Sequence, residues 1–517
     1  MQESSDNKRI AKNTMFLYLR MMITMVVSLY TSRLVLSTLG VYDFGIQNVV
    51  GGLVSTFSLL SSTMNATISR YLTFEIGRGD IKRLKIVFST SLNIQIVLVL
   101  IIVVAAETIG LWFLYNKMEI PQERVYAAVW VYHCSLASFV FNLISVPYSS
   151  VIISHERMGV YAYMSVLEVF LRLGIVLLLV ISNWDKLITY AVLLMMVSML
   201  MSIIYGLYCS SNYQESKYCY IYDRTILREM LTFSSYNYMG AAAYILRYQG
   251  INLLTNLFFG VAINAARGVV ASVESAVSQF VGNFTMALNP PITKAYARGD
   301  ITYMQKLVCQ GAKYSFYMMM VLVLPVFFEA PIILEIWLTN VPAYTSLFLR
   351  LTLAIMLIDI LSGTITTAIL STGDLKFPQM VLSPVMIMVL PISYLLFKIG
   401  FPAYYSYVVF GIIVIIRIII ELFFLQRMIH MSAIYFVKSV LRPCAIVLFF
   451  SIFPFVISFS FNYSLLRLFL IVPFSLIWSS ICVYCFGITG DERKYLDEKC
   501  RLLYKKLFCR NRINIVK

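Results

Sequence analysis

Charged side chains stand inside long apolar runs of this sequence, among them Arg20, Arg33, Arg247, Arg267, Glu274, Arg350 and Asp359. An ionised group in hydrocarbon is costly, so each one implies a cavity, a partner or a substrate. Arginines that outnumber acids select anions. The guanidinium fork matches phosphate oxygens, and several forks around one site suit a pyrophosphate. Arg33, Arg247 and Arg267, with Arg20, are therefore the candidate substrate-binding residues. Glu274 and Asp359 are the candidates for coupling to a proton or a sodium ion, or for balancing arginine. Asn264, Arg267, Glu274 and Ser278 recur at helical spacing, a polar stripe fit to line a water-filled cavity. Arg247 has no acidic residue three or four positions away. Simpler roles compete elsewhere. Arg20 is about 9 Å of helix from the end of its run and can snorkel. Glu168/Arg172 and Arg417/Glu421 are i, i+4 pairs that neutralise each other, and Arg350 is near a run's outer end.

Catalytic chemistry has no comparable footing. There are three histidines, His133, His155 and His430, and none belongs to a nucleophile–base constellation. No P-loop or metal motif occurs, so the reading is of a protein that is not an enzyme, with no cofactor beyond a coupling H+ or Na+. Cys482-Val483-Tyr484-Cys485 has zinc-like spacing but no partner pair. The nine cysteines lie in apolar runs or beside Lys and Arg, unlike a disulfide framework.

These residues ride on helices. The 517 residues are 60% hydrophobic and 13% charged, with mean hydropathy +0.82. Soluble domains carry about 25% charged residues, so this is a membrane protein by composition. The apolar runs are helix-length and continuous, which excludes a barrel. About fourteen can span a bilayer. The net charge of +16 suggests nucleic acid, but loop placement explains it better: about 29 of the 41 Lys and Arg fall in alternate loops and the tails. Lys117, Arg124, Lys186, Lys398 and Arg467 are assigned to the opposite loops. The expectation is a multi-pass protein with both termini cytoplasmic and no nucleic-acid partner. The N-terminus lacks a small-residue cleavage site and reads as a retained cytosolic tail.

Gly77–Lys85, "GRGDIKRLK", returns as "ARGDITYMQ" at Ala297–Gln305. A shift of 220 residues aligns residues 40–81 with 260–301 at about 11 identities in 42 positions, where chance gives about three. The repeat holds six spans, an even number, so its copies enter the membrane in the same orientation. Parallel repeats imply a pseudo-two-fold axis along the membrane normal with a cavity between halves, a transporter plan. The predicted fold is an all-α polytopic membrane protein: two parallel six-helix repeats plus a C-terminal helix pair. Its parts are a first bundle over 1–210, a cytoplasmic linker over 211–229, a second bundle over 230–430, the extra pair over 431–487 and a basic tail over 488–517. Gly-Asp is expected to turn the chain into a short surface helix, "DIKRLKIVF" in the first copy.

"LYTSRLVLSTLGVYDFGIQNVVGGL", with Arg33 before Leu39-Gly40 and Phe44-Gly45, resembles the first-to-second helix signature of polysaccharide-export flippases. These form the Wzx-like, O-antigen branch of the multidrug/oligosaccharidyl-lipid/polysaccharide exporter superfamily. "RYLTFEIGRGD", its echo and "SHERMGVYAYMSVLE" fit the same pattern, and the resemblance runs to about Arg427. It implies an Arg-lined cavity. It also implies alternating-access flipping of undecaprenyl-pyrophosphate-linked oligosaccharide units from the cytoplasmic to the periplasmic leaflet of the bacterial inner membrane. The implied partners are that lipid-linked oligosaccharide, membrane lipids and polysaccharide polymerase machinery. The alternatives are a cation-coupled multidrug exporter, whose cavity should be acidic, and a membrane polysaccharide polymerase or acyltransferase, which should carry a large outer loop.

The charge asymmetry makes a topological prediction. A phosphatase reporter fused after Lys517 should be inactive and one fused after Asn116 active; the reverse pattern defeats the assignment.

Overall fold

The computed structural model describes the backbone of residues 2–55, 58–117, 122–181, 184–219, 223–338, 341–458, 465–490 and 492–493. The basic tail beyond 493 and the side chains of Arg33 and Asn264 lie outside the described residues. All regular structure among the described residues is helical. In lipid a backbone without water must satisfy its own N–H and C=O groups, and these uninterrupted apolar runs do so as helices. Eleven described stretches are long and apolar enough to cross a membrane. The expected runs 41–64, 230–258 and 261–287 fall on the helices Gln2–Ser55, Ser58–Arg78 and Arg224–Ala297, so a total of about fourteen spans is compatible.

The repeat is written in the backbone as well as in the letters. Gln2–Ser55 bends at Gly40, with φ 77° and ψ 170°, and Arg224–Ala297 bends at Gly260, with φ 78° and ψ −176°. These glycines stand 220 residues apart and adopt a conformation that a Cβ makes costly. The Arg-Gly-Asp turns match too. Gly79 and Gly299 have φ 79° and 77°. Asp80 accepts a hydrogen bond from the Arg83 N–H at 3.0 Å, and Asp300 accepts one from Tyr303 N–H at 3.1 Å. Each aspartate caps a helix start, offsetting an orphan donor by about 1 kcal/mol. The helices that follow are not short surface pieces: Ile81–Ala105 and Ile301–Phe328 are both long, because the cap feeds directly into an apolar run.

The chain groups into two compact units. The first comprises Met1–Gly250, Gly282–Val308 and Thr364–Leu390. Its core includes the fully enclosed side chains of Phe88, Tyr132, Leu72 and Leu143. It brings the two Arg-Gly-Asp ends together. A Cβ on Gly77 would lie 2.7 Å from Ala297 Cβ, and these positions are also 220 residues apart. A residue that touches its own repeat mate sits at the axis relating the copies.

The second unit comprises Ile251–Val281, Cys309–Gly363 and Pro391–Lys517. Here the last helices pack on the Ile301–Phe328 helix. Phe455 stacks on Phe328 at 4.2 Å, and Tyr317 Oη donates to Gly487 O at 3.1 Å. Lys313 Nζ meets Glu492 at 2.9 Å. The C-terminal helix pair is thus fastened to the second repeat.

Contact at the axis sets a stability prediction. Gly77→Ala puts Cβ 2.7 Å from Ala297 Cβ and 3.1 Å from the Lys294 backbone, so the helix ends must separate. It should cost about 1–3 kcal/mol, read as a lower unfolding temperature in detergent micelles. Gly174→Ala, whose Cβ would meet nothing within 4 Å, should not lower it.

Candidate functional site

In the first unit, Arg20 donates from Nη2 to Asn283 Oδ1 at 3.0 Å and lies over the Tyr161 ring at 4.9 Å. Arg247 is 6% exposed, with its guanidinium 4.8 Å from the Tyr244 ring. In the second unit, Arg267 donates from Nε to Asn252 Oδ1 at 2.9 Å and covers the Tyr407 ring at 5.2 Å. A common arrangement emerges. Each guanidinium rests on a tyrosine face, and Arg20 and Arg267 are held by neutral amides. Aromatic and amide partners hold the fork in place without cancelling its charge. Neither Arg20 nor Arg267 forms an ion pair among the described residues.

The carboxylates are treated differently. Asp359 accepts from Arg417 Nη2 at 2.6 Å, and Arg417 Nε lies 3.4 Å from Glu421. Arg417 also donates to the Ser362 hydroxyl. The i, i+4 pair expected within one helix is therefore a cluster across two helices, with Asp359 as its second acid. Glu274 is half-buried on the helix that carries Arg267. Arg350 caps the C-terminal end of the Ile301–Phe328 helix, donating to Phe327 O at 3.0 Å and Phe328 O at 3.3 Å. Glu168 and Arg172 pair on their helix at 2.6 Å, as their spacing suggests.

Two features escaped sequence reasoning. Arg467, assigned to an outer loop, is buried at 5% exposure and donates from Nη2 to Glu329 at 2.8 Å. Glu329 has no exposed surface. That acid inside an apolar run was the visible sign of a buried cation elsewhere. The second is the "SHER" stretch. Glu156, in a left-handed conformation with φ 59°, meets Arg9 Nε and Lys294 Nζ, each at 2.7 Å. It thereby joins the N-terminal helix to the second repeat. Burial pushes the Lys294 ammonium below its ordinary pKa, and Glu156 pulls the other way. Next to it, His155 Nε2 lies 2.5 Å from Glu215 Oε1. Burial raises the Glu215 pKa, but the hydrogen bond with His155, a backbone hydrogen bond and nearby positive charge together outweigh it and hold this carboxyl below its usual range.

Solved structures show the same path of helices. A multidrug resistance MATE family transporter of the MOP superfamily, in an outward-facing conformation, superposes with TM-score 0.70 at 12% identity, over 82% of this chain and 96% of that one. The chain has the MATE transporter fold. A MATE protein in the bent conformation matches with TM-score 0.68 at 15% identity, over 82% and 96% of the two chains. A MOP superfamily transporter from Pyrococcus furiosus, described by the reversed polarity of its binding pocket, matches with TM-score 0.65 at 14% identity, over 81% and 96%. No family model matches the sequence, and no curated protein does. At such identities the MATE fold is shared and the cargo is a separate question, which side chains decide.

Within that fold the Arg467–Glu329 pair anchors the last helices. Arg467→Met alone leaves a buried carboxylate without its cation and should cost about 3–5 kcal/mol. Arg467→Met with Glu329→Leu should recover most of that loss. Thermal unfolding of the purified single and double variants checks both.

Proposed function

We propose that this protein is a transporter, not an enzyme, and that it flips undecaprenyl-pyrophosphate-linked oligosaccharide units from the cytoplasmic to the periplasmic leaflet by alternating access. It would then act in O-antigen or capsule synthesis, as a multi-pass protein of the bacterial inner membrane with both termini cytoplasmic. Its partners would be the lipid-linked oligosaccharide, membrane lipids and the polymerase machinery. One observation carries the choice of cargo: Arg20 and Arg267 are held by neutral amides and have no ion pair among the described residues, while Asp359 and Glu329 are engaged by Arg417 and Arg467. Guanidinium groups held in this way attract a pyrophosphate and repel cations. The repeat favours a lopsided cargo. The 220-residue shift sets Arg267 against Gln47 and Arg247 against Val27, which suits a molecule charged at one end and sugar-like at the other.

Arg33, Arg247 and Arg267, with Arg20 nearer a helix end, would hold the pyrophosphate. Glu274 and Asp359 would carry a coupling H+ or Na+, which at Asp359 would compete with Arg417 for the same carboxylate. A cation-coupled drug exporter is the second reading, because a multidrug resistance MATE family transporter shares the fold.

Arg267→Lys keeps the charge but loses the fork. It should lower transport of lipid-linked units by about tenfold, the order of one lost charge-assisted hydrogen bond, and Arg267→Ala should lower it further. The measurement is the fraction of lipid-linked units reaching the outer leaflet in cells with matched amounts of inserted protein. Normal surface polysaccharide from an expressed Arg247→Ala/Arg267→Ala variant would defeat the assignment. Unchanged polysaccharide with new drug sensitivity on gene deletion would favour the exporter.

A further inference from the structure

At the Arg-Gly-Asp end of the first unit lies a cleft of about 1060 Å³. Three separate stretches build it: residues 70–87 of the first repeat, 224–236 where the linker meets the second bundle, and 372–376 of the second repeat. Its walls carry five cations, Arg70, Arg83, Arg224, Arg228 and Lys376, against three carboxylates, Glu75, Glu229 and Asp374. Arg83 already lies 3.3 Å from Glu75, which removes one of each. Arg224, Arg228 and Lys376 are exposed at the rim.

Arg70 forms the back of the cleft. Its guanidinium sits against the rings of Tyr71 at 4.6 Å, Phe74 at 4.9 Å and Phe233 at 5.4 Å. Nη2 donates to Ser371 O at 2.9 Å. Gly373, with φ 83°, presses so close that a Cβ there would stand 2.4 Å from Nη2. The fork is fixed on four sides, yet Nε is enclosed without a hydrogen-bond partner. No carboxylate forms an ion pair with Arg70 among the described residues. Burial pushes its pKa below the ordinary arginine value, with Tyr71 pulling it back. Glu75 and Glu229 act on it only from beyond ion-pair distance, and bidentate oxyanions are what a preset fork binds best. The Lys376–Ile387 helix begins at the same cleft with no side-chain cap, so its positive end adds to the field.

We propose that this cleft binds a phosphoryl group, on a lipid headgroup or on a small soluble phosphate, with Arg70 as the fixed ligand and Arg228 and Lys376 as ligands closing from the rim. The volume admits a headgroup larger than the phosphoryl itself. Thr225, Thr232 and Thr372 offer hydroxyls along the wall. None of the arginines proposed for the cargo lines this cleft, and the proposal stands whether the cargo is a lipid-linked sugar or a drug. A phosphoryl bound here would bridge both repeats through residues 70–87 and 372–376.

Hydrogen exchange on the full-length purified protein tests this without any transport assay, so its outcome and that of the cargo reading are independent. One arm titrates inorganic pyrophosphate into detergent-solubilised protein, with matched sodium chloride as control. The other compares phosphatidylcholine nanodiscs with and without phosphatidylglycerol. Slower exchange across 224–236 and 372–376 is expected in at least one arm. The pyrophosphate arm marks a soluble source and the nanodisc arm a headgroup. Arg228→Gln with Lys376→Gln should raise the half-saturating concentration at least about tenfold, whereas Lys82→Gln with Lys85→Gln, the same charge loss outside the cleft, should leave it in place. Arg70→Lys should weaken protection while its exchange elsewhere reports an intact fold. No protection in either arm, or equal loss in the Lys82/Lys85 control, overturns the proposal.

Discussion

Placing charge inside apolar helices governs this molecule. A helix satisfies its own backbone, so the energetic questions pass to a few ionisable side chains. The structure answers them in two ways. Carboxylates are neutralised across helices: Glu329 by Arg467, Asp359 by Arg417, Glu156 by Arg9 and Lys294. Several arginines are instead supported by rings, amides or a backbone carbonyl and form no ion pair among the described residues, as at Arg20, Arg70 and Arg267. The first mode fastens helices together. The second leaves positive surface available to something else, and both functional readings grow from it.

The repeats share shape and diverge in charge. Gly40 and Gly260, and Gly79 and Gly299, hold the same backbone angles, and Asp80 and Asp300 cap equivalent helices. Side chains between them do not match: Arg70 faces Pro290 under the shift, and Phe74 faces Lys294. Duplicated geometry sets where helices bend, while substitutions on that frame decide polarity. This is why two chains only 12% identical can superpose well and still be free to differ in the polarity of their deep residues.

Helix placement and the repeat were legible in the sequence because both are local or strictly periodic. Apolar run length locates a span, and a fixed shift exposes a duplication through glycines whose angles no other residue adopts cheaply. Membrane-depth arginines were equally visible. Their partners were not, because pairing at depth joins distant positions: Arg467 and Glu329 are 138 residues apart, and Arg70 and Ser371 are 301 apart. Charge counting alone put Arg467 in a loop, since a cation near a helix end looks the same whether it faces water or a buried acid. The Arg-Gly-Asp turns misled in a smaller way. Their basic residues suggested a surface helix, but the capped segment simply continues into the membrane.

The Arg467–Glu329 pair also orders events during synthesis. Glu329 enters the membrane 138 residues before its cation is made. At ribosomal rates of about 5–20 residues per second, that is roughly 7–28 s in which the acid lacks its final partner. The second repeat therefore reaches its final packing only when the last helices arrive, and a chain that stalls before Arg467 carries a built-in mark of incompleteness that quality control in the membrane can read.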